Sequence, residues 1–584
     1  MLDLRIYRAA FVPVLLALVV VAFSLETRPR PFTADLPPDA FDGPRAARLV
    51  DDLAGRFPER RPGSEGDMAL AETVAETYSA AGFAVESHDL RAETIDGPRT
   101  IRTVVGERPG RLSGRVVVLA HRDAASSPAT AALSGTASLL ELTRLFAGRT
   151  TSRTLTLVST SGGSGGFAGA ADWAARVSGP VDAVIVLGDL GGATARRPQI
   201  VGWSNTRGIA PQRLMRTVDE ALRREAGPPG ASGALMQMLR LAFPLTVSEQ
   251  GVIGAAGLPA VLVGASGELG PGAQDGVDPA RLEAMGRGVL RAFTALDQGP
   301  DVVPSGLESI VVLRNQELPL WAVRLLAGAL LLPPLLAGLD GLFRVRRRHE
   351  PVLRWAAWVL ALAVPFVLGG LLLVALRLAG LVVAPAAPVV PGAIPVSVGA
   401  LVAALAVLAL AFLLLWPLSA RRLAVDAPDS AGAATAIGLT VLAVAVLVWV
   451  RNPFAALFLA PAAHLWLLAV DRGMRLARPL RAVFVLVGLV PFALAALGYA
   501  LALDASPLEL AWMGALLIAG GHVSFLSVLL WSIVAACAVA ALVAALRSGG
   551  DDVPAGRGGG VRSRGPIGYA GPGSLGGTDS ALRR

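Results

Sequence analysis

Beyond Leu318 the chain becomes a succession of long apolar runs joined by short loops, and no other feature restricts its fold as strongly. A run of about 20 apolar residues cannot leave backbone polar groups unpaired in hydrocarbon, so it crosses a bilayer as a helix. Runs near 319–343, 353–376, 394–417, 432–450, 453–470, 482–503 and 510–546 predict seven spans. The last is too long for one straight span, and Gly520-Gly521-His522 is expected to break it into a re-entrant piece or to leave one strongly tilted helix. Hydrophobic residues make up 54% of the 584 and charged residues 16%, with a mean hydropathy of +0.59. This is the composition of a multi-span membrane protein.

The formal charge is +8, carried by arginine alone because the chain has no lysine. These arginines sit beside apolar runs, at Arg344, Arg346, Arg347 and Arg348, at Arg421 and Arg422, and at Arg472, Arg475, Arg478 and Arg481. There they set topology, so no nucleic-acid partner is expected. An apolar run from Ala9 to Ser24 follows Arg5 and Arg8. Ala22-Phe23-Ser24 loosely resembles a cleavage site, but the uniform run Phe11 to Phe23 favours an uncleaved anchor. With all the arginine loops on one side, the N-terminus and the C-terminal tail are expected in the cytoplasm and residues 26–318 outside a multi-pass cell membrane. The lone Cys537 excludes an intrachain disulfide and a cysteine zinc site.

The expected layout is an anchor over 1–25, a Pro-rich linker over 26–44, an external domain over 45–300, a second linker over 301–318, the seven-span domain over 319–546 and a disordered tail over 547–584. In the external part, strand patterns at Val116–Ala120, Thr154–Ser159, Ala183–Leu187 and Ala260–Gly264 alternate with helix patterns. The helices are expected at Glu65–Ala81, Ser134–Ala147, Ala168–Val177, Pro211–Ala226 and Pro279–Leu296. That order predicts an α/β domain with a mainly parallel sheet covered on both faces, joined to an all-α membrane domain.

Five motifs stand out in the external domain: Arg61-Pro62-Gly63-Ser64, His121-Arg122-Asp123 at a strand end, Ser134-Gly135 before a helix, Gly188-Asp189-Leu190-Gly191 at another strand end, and Ser248-Glu249 with Gly257-Leu258-Pro259-Ala260. Together they resemble the di-zinc aminopeptidases of clan MH, the M-twenty-eight metallopeptidases, across essentially the whole domain. The resemblance implies an aminopeptidase-like (phosphorylase/hydrolase-like) fold. It further implies that His121 and Asp189 stand at zinc-ligand positions and that Asp123 orients His121 from behind.

A co-catalytic site needs about five ligands and a general base, and most are missing. Thr130-Ala131-Ala132-Leu133 stands where the family has a bridging Asp, and Thr160-Ser161-Gly162-Gly163-Ser164 where it has a Glu-Glu pair. The late His is absent, since no His occurs between His121 and His349. His121, Asp123 and Asp189 are therefore read as vestigial metal-site positions, with no catalytic residue named and no cofactor expected.

Other signals have plainer readings. Gly163-x-Gly165-x-x-x-Gly169 could cradle an anion, but it replaces the Glu-Glu turn. Ser161 and Ser164 lack the flanks of a nucleophile elbow, and His464 and His522 are expected to pack as neutral groups between helices. The layout is similar to that of the large peptidase-like subunit of the eukaryotic GPI transamidase, and also to multi-span M-twenty-eight peptidases with intact ligands. The expected function is that of a membrane-anchored pseudo-peptidase that binds a peptide, protein or lipid-linked partner and scaffolds a membrane complex. The alternative is a metallopeptidase or amide-forming transferase with one zinc at His121 and Asp189. A transporter is disfavoured by the few polar groups within the spans.

Overall fold

The computed structural model describes residues 3–37, 40–195, 197–299, 306–385, 387–423, 430–474 and 476–547. Ten strands are present among them: β1 (Glu26–Thr27), β2 (Ala84–Thr94), β3 (Gly97–Arg108), β4 (Arg115–His121), β5 (Thr154–Thr160), β6 (Val181–Leu187), β7 (Gln199–Val201), β8 (Ala260–Gly264), β9 (Val311–Leu313) and β10 (Gln316–Leu318). Seven form one mixed sheet in the order β2-β3-β5-β4-β6-β8-β7. The inner strands β5, β4, β6 and β8 run parallel, while β2, β3 and β7 close the edges antiparallel.

The parallel strands are Val-, Leu- and Ile-rich because both their faces are covered. Val116, Val118 and Ala120 of β4 point into a core shared with the helices Gly43–Arg56, Ser134–Phe146, Gln212–Glu225 and Pro279–Gln298. Their neighbours Val117 and Leu119 point the other way, as the two-residue period of a strand requires. They enter a core that passes through the helices Ala168–Arg176, Ala234–Ala242 and Glu249–Ala255 and continues into the membrane helices at Phe454, Leu459 and Trp466.

Strands and helices expected at the five helix and four strand patterns are present with ends shifted by a residue or two. The β2–β3 hairpin and the helix Gly43–Arg56 were not expected. Within the stretches read as linkers, β1 pairs with β10 and β10 with β9, so that Glu26 faces Glu317 and the entry and exit of the domain are sewn together.

Among the described residues, eight helices are long and apolar enough to cross a membrane: Arg5–Ala22, Leu320–Arg347, Val352–Leu378, Val398–Leu423, Ala431–Arg451, Pro453–Val470, Arg478–Ala502 and Phe525–Arg547. Val352–Leu378 is two helices end to end, broken at Leu362-Ala363 ahead of Pro365, since proline removes a helical donor and biases the residue before it away from the helix. The long final run is likewise two helices, Pro507–Ala519 and Phe525–Arg547, parted at Gly520 and Gly521, where Gly521 takes φ +75°. The tail read as disordered, 548–584, lies outside the described residues.

Pro334 in Leu320–Arg347 has no N–H for the carbonyl of Leu330. His464 Nε2 donates to that carbonyl at 2.8 Å instead, which leaves Nδ1 to accept from Tyr7 Oη at 2.6 Å. The N-terminal helix is tied to the same bundle by Asp3, 2.9 Å from Arg344.

The α/β domain is bonded to the membrane helices on two sides. Asn452, between two spans, donates to the carbonyls of Leu241 and Ala242 at 3.0 Å each, and Tyr499 Oη donates to Phe243 O. On the other side, Ile95 at the tip of the β2–β3 hairpin packs with Val389, Ile394 and Trp512 of the inter-span loop and the short final-run helix.

Candidate functional site

The parallel strands β4, β5, β6 and β8 end along one edge of the sheet, where open α/β sheets place their ligand crevices. A cavity of about 260 Å3 lies there, lined by His121 and Asp123 after β4, Gly163 and Ser164 after β5, Gly188 and Asp189 after β6, and Gly267 and Glu268 after β8. Glu249 and Phe167 add to its walls, and Val390 and Ala393 reach it from the loop between two membrane helices. The three positions singled out in the sequence thus line a single cavity, and the membrane part contributes to its rim.

Each of those side chains is already engaged. His121 Nδ1 lies 3.2 Å from Glu249 Oε2, not against Asp123. Glu249 stands in the first turn of Glu249–Ala255, buried, with its second oxygen accepting from Thr160 Oγ1 at 2.6 Å. Burial alone pushes the His121 pKa down, but the Glu249 carboxylate, assisted by Asp123, outweighs it and holds the imidazole at about 9.

Asp123 turns away to the loop after β5. It accepts from the amides of Gly163 and Ser164, both at 2.9 Å, and from Ser164 Oγ. The glycine-rich turn thus gives its amides to a carboxylate of its own chain, and they are not free to cradle a phosphate. Gly163 is glycine for a steric reason: a Cβ there would stand 2.2 Å from Cβ and Cγ of His121. No side chain fits at 163 while the imidazole holds its present place.

Asp189 accepts from Gly191 N at 2.9 Å, Gly192 N at 2.7 Å, Ser134 Oγ at 3.1 Å and Ser266 Oγ at 2.6 Å. Gly191, Gly192 and Ser134 all approach Oδ1, and Ser266 approaches Oδ2. Burial raises the Asp189 pKa against the pull of those four bonds. The fourth carboxylate, Glu268, is paired with Arg240 and accepts from Thr246 Oγ1 at 2.6 Å.

Behind the cavity the remaining motif residues form scaffold. Arg122 is buried and paired with Asp67 at 2.9 Å, while donating to the carbonyls of Ser159 and Arg102. Asp67 also accepts from Ser161 Oγ at 2.5 Å and Gly63 N at 2.9 Å, so Ser161 has a structural partner and not a catalytic base. Ser64 caps the helix Glu65–Ala80.

Sequence reasoning quoted Glu249 and Thr160 only as parts of motifs and did not reach Glu268 or Ser266. His121 and Glu249 are 128 residues apart, and no local pattern announces their meeting. Among the described residues no group of three or more His, Cys, Asp or Glu side chains is arranged to hold a metal ion. With His121 and Asp189 as the candidate ligands and Asp123 turned to the Gly163-Ser164 loop, the donors present fall short of the three or four that a zinc site takes.

No family model matches the chain, and no curated protein matches it. Solved structures similar to the α/β domain include a glutaminyl cyclase from Bacteroides thetaiotaomicron, at 17% identity over 44% of this chain and 99% of the other, with a TM-score of 0.37. A zinc aminopeptidase from Bacillus subtilis is 12% identical over 47% of this chain and all of its own, with a TM-score of 0.37. An aminopeptidase from an Aneurinibacillus species is 13% identical over 43% of this chain and 94% of its own, with a TM-score of 0.35. At such scores the likenesses carry no functional inference, and the fold assignment above stands on the strand order of this chain alone.

Proposed function

We propose that this chain is a membrane-held binding protein whose α/β domain keeps a ligand cleft without hydrolytic chemistry, taking a peptide, protein or lipid-linked partner and scaffolding a membrane complex. One observation carries the reading: the cavity at the carboxyl edge of the sheet offers His121 and Asp189 where a zinc site takes three or four protein ligands, and Asp123 is given to the Gly163-Ser164 turn. Two protein ligands are fewer than a catalytic zinc site holds, which removes support from a one-metal enzyme at His121 and Asp189. A cleft of this kind still binds, through its apolar wall and its fixed dipoles.

Val390 and Ala393 on the rim favour a partner that approaches along the membrane surface. The arginine-rich loops at 344–348, 421–422 and 472–481 favour an extracytoplasmic domain and a cytoplasmic tail.

The test is to purify the full chain in mild detergent, incubate it with zinc, and measure bound metal together with hydrolysis of aminoacyl peptides. Zinc well below one per chain and no turnover are expected. Stoichiometric zinc with turnover, both lost in His121→Ala, would overturn the reading.

A further inference from the structure

A second cavity of the α/β domain, about 300 Å3 in volume, shares no lining residue with the cleft. It lies between the helix Gln212–Glu225, the loop before Ala234 and the turn of the β9–β10 hairpin. Trp203, Ile209 and Met215 give it an apolar wall. Arg28, just past β1, and Arg314, in the hairpin turn, give it a basic one, and the Asp219 carboxylate on the same lining is taken by Arg223 at 3.1 Å. The lining therefore carries more positive than negative charge.

Arg28 has donors to spare. Its Nη2 donates to Gln212 Oε1 at 3.0 Å and its Nη1 to Arg314 O at 3.4 Å, which leaves a second N–H on each terminal nitrogen. The counter-charge is loose, since Glu317 Oε1 stands 3.8 Å from Nε, beyond hydrogen-bonding reach. Burial and the nearby Glu308 charge push the Glu317 pKa up to about 7, so at neutral pH Glu317 offsets the guanidinium only in part. Arg314 is exposed and meets no carboxylate among the described residues. Gln212, also on the lining, is only 1% exposed. Because its Oε1 faces the Arg28 donor, its amide nitrogen is turned the other way and finds no acceptor among the described residues. A buried donor left unpaired is destabilising. What the wall lacks is an acceptor, and a carboxylate supplies one with the charge and the planar shape that a guanidinium fork matches.

We infer that this second cavity binds a small organic carboxylate with an apolar body, the carboxylate held by Arg28 and Gln212 beside Arg314 and the body lying against Trp203, Ile209 and Met215. The site is independent of the cleft and of the function proposed for it. β10 leads directly into the helix Leu320–Arg347, so a ligand held between the hairpin turn and the helix Gln212–Glu225 braces the junction of the α/β domain with the membrane part.

The test uses the full chain in mild detergent at neutral pH, titrated in a calorimeter with N-acetylphenylalanine or with its uncharged amide, N-acetylphenylalaninamide. The acid should bind roughly tenfold more tightly than the amide, the scale of one hydrogen bond to a charged group. Arg28→Gln should abolish that preference, and Arg314→Gln should lower it roughly threefold, the scale of an exposed charge. Ala231→Phe, at an exposed lining position, fills the cavity and should weaken the acid and the amide alike. Should Arg28→Gln fail to fold, the exposed Arg314 still decides the role of charge through Arg314→Gln. No binding of the acid, equal affinity for acid and amide, a preference unchanged in both arginine variants, or undiminished binding in Ala231→Phe would overturn the inference.

Discussion

His121 is the residue on which the character of the cleft turns. Its ring sits in the space that Gly163 leaves empty and pairs with Glu249, whose side chain is only 2% exposed against 23% for the imidazole. Because the folded pKa of about 9 lies above the unfolded value of about 6.5, the pair stabilises the protein fully below pH about 6.5 and loses that contribution as pH rises through about 9. Thermal unfolding of the full chain from pH 6 to 10 should show this decline, and His121→Gln should flatten it. An equally steep decline in His121→Gln would assign the effect elsewhere. The motif His121-Arg122-Asp123 was legible in the sequence, and so was the absence of carboxylates at Ala131 and Gly163. The partner Glu249 was not, because a contact between residues this far apart leaves no local periodicity.

At the scale of elements, the helices and strands with one clear apolar period were readable, and those without one were not. β2 is exposed along most of its length and carries Glu86, His88, Asp89, Arg91 and Glu93, so it lacks the apolar face by which a strand announces itself. Its only local sign is Asp96-Gly97 at the turn, where Thr94 pairs with Gly97. The membrane helices were readable as apolar runs, but the repair of the Pro334 break by His464 depends on which helices are neighbours. Replacing His464 by Ala leaves the Leu330 carbonyl without its donor, and should cost about 0.6–1.7 kcal/mol in unfolding of the full chain in detergent mixtures. Tyr7→Phe removes only the outer bond and should cost less. Identical stability of both variants and the wild type would break this account of His464.

Over the whole molecule, the α/β domain and the membrane helices are joined by a continuous apolar core and by a few directed bonds. Asn452 is the most economical of these, since its side chain donates to Leu241 and Ala242 and also accepts from the amides of Phe454 and Ala455 as a helix cap. Asn452→Ala should cost about 1–2 kcal/mol and raise amide exchange in Ala234–Ala242 while the inner strands stay protected; unchanged exchange there would show that the apolar contact alone holds the two parts. The sequence by itself determined that the chain has long apolar helices suited to cross a membrane and a mainly parallel α/β part, because hydropathy and strand and helix periods are local properties of consecutive residues. Only the tertiary structure decided what the remaining polar residues do. Whether a histidine is a free ligand or half of an ion pair depends on which strand ends converge, and that convergence is fixed by long-range packing of the sheet against its helices.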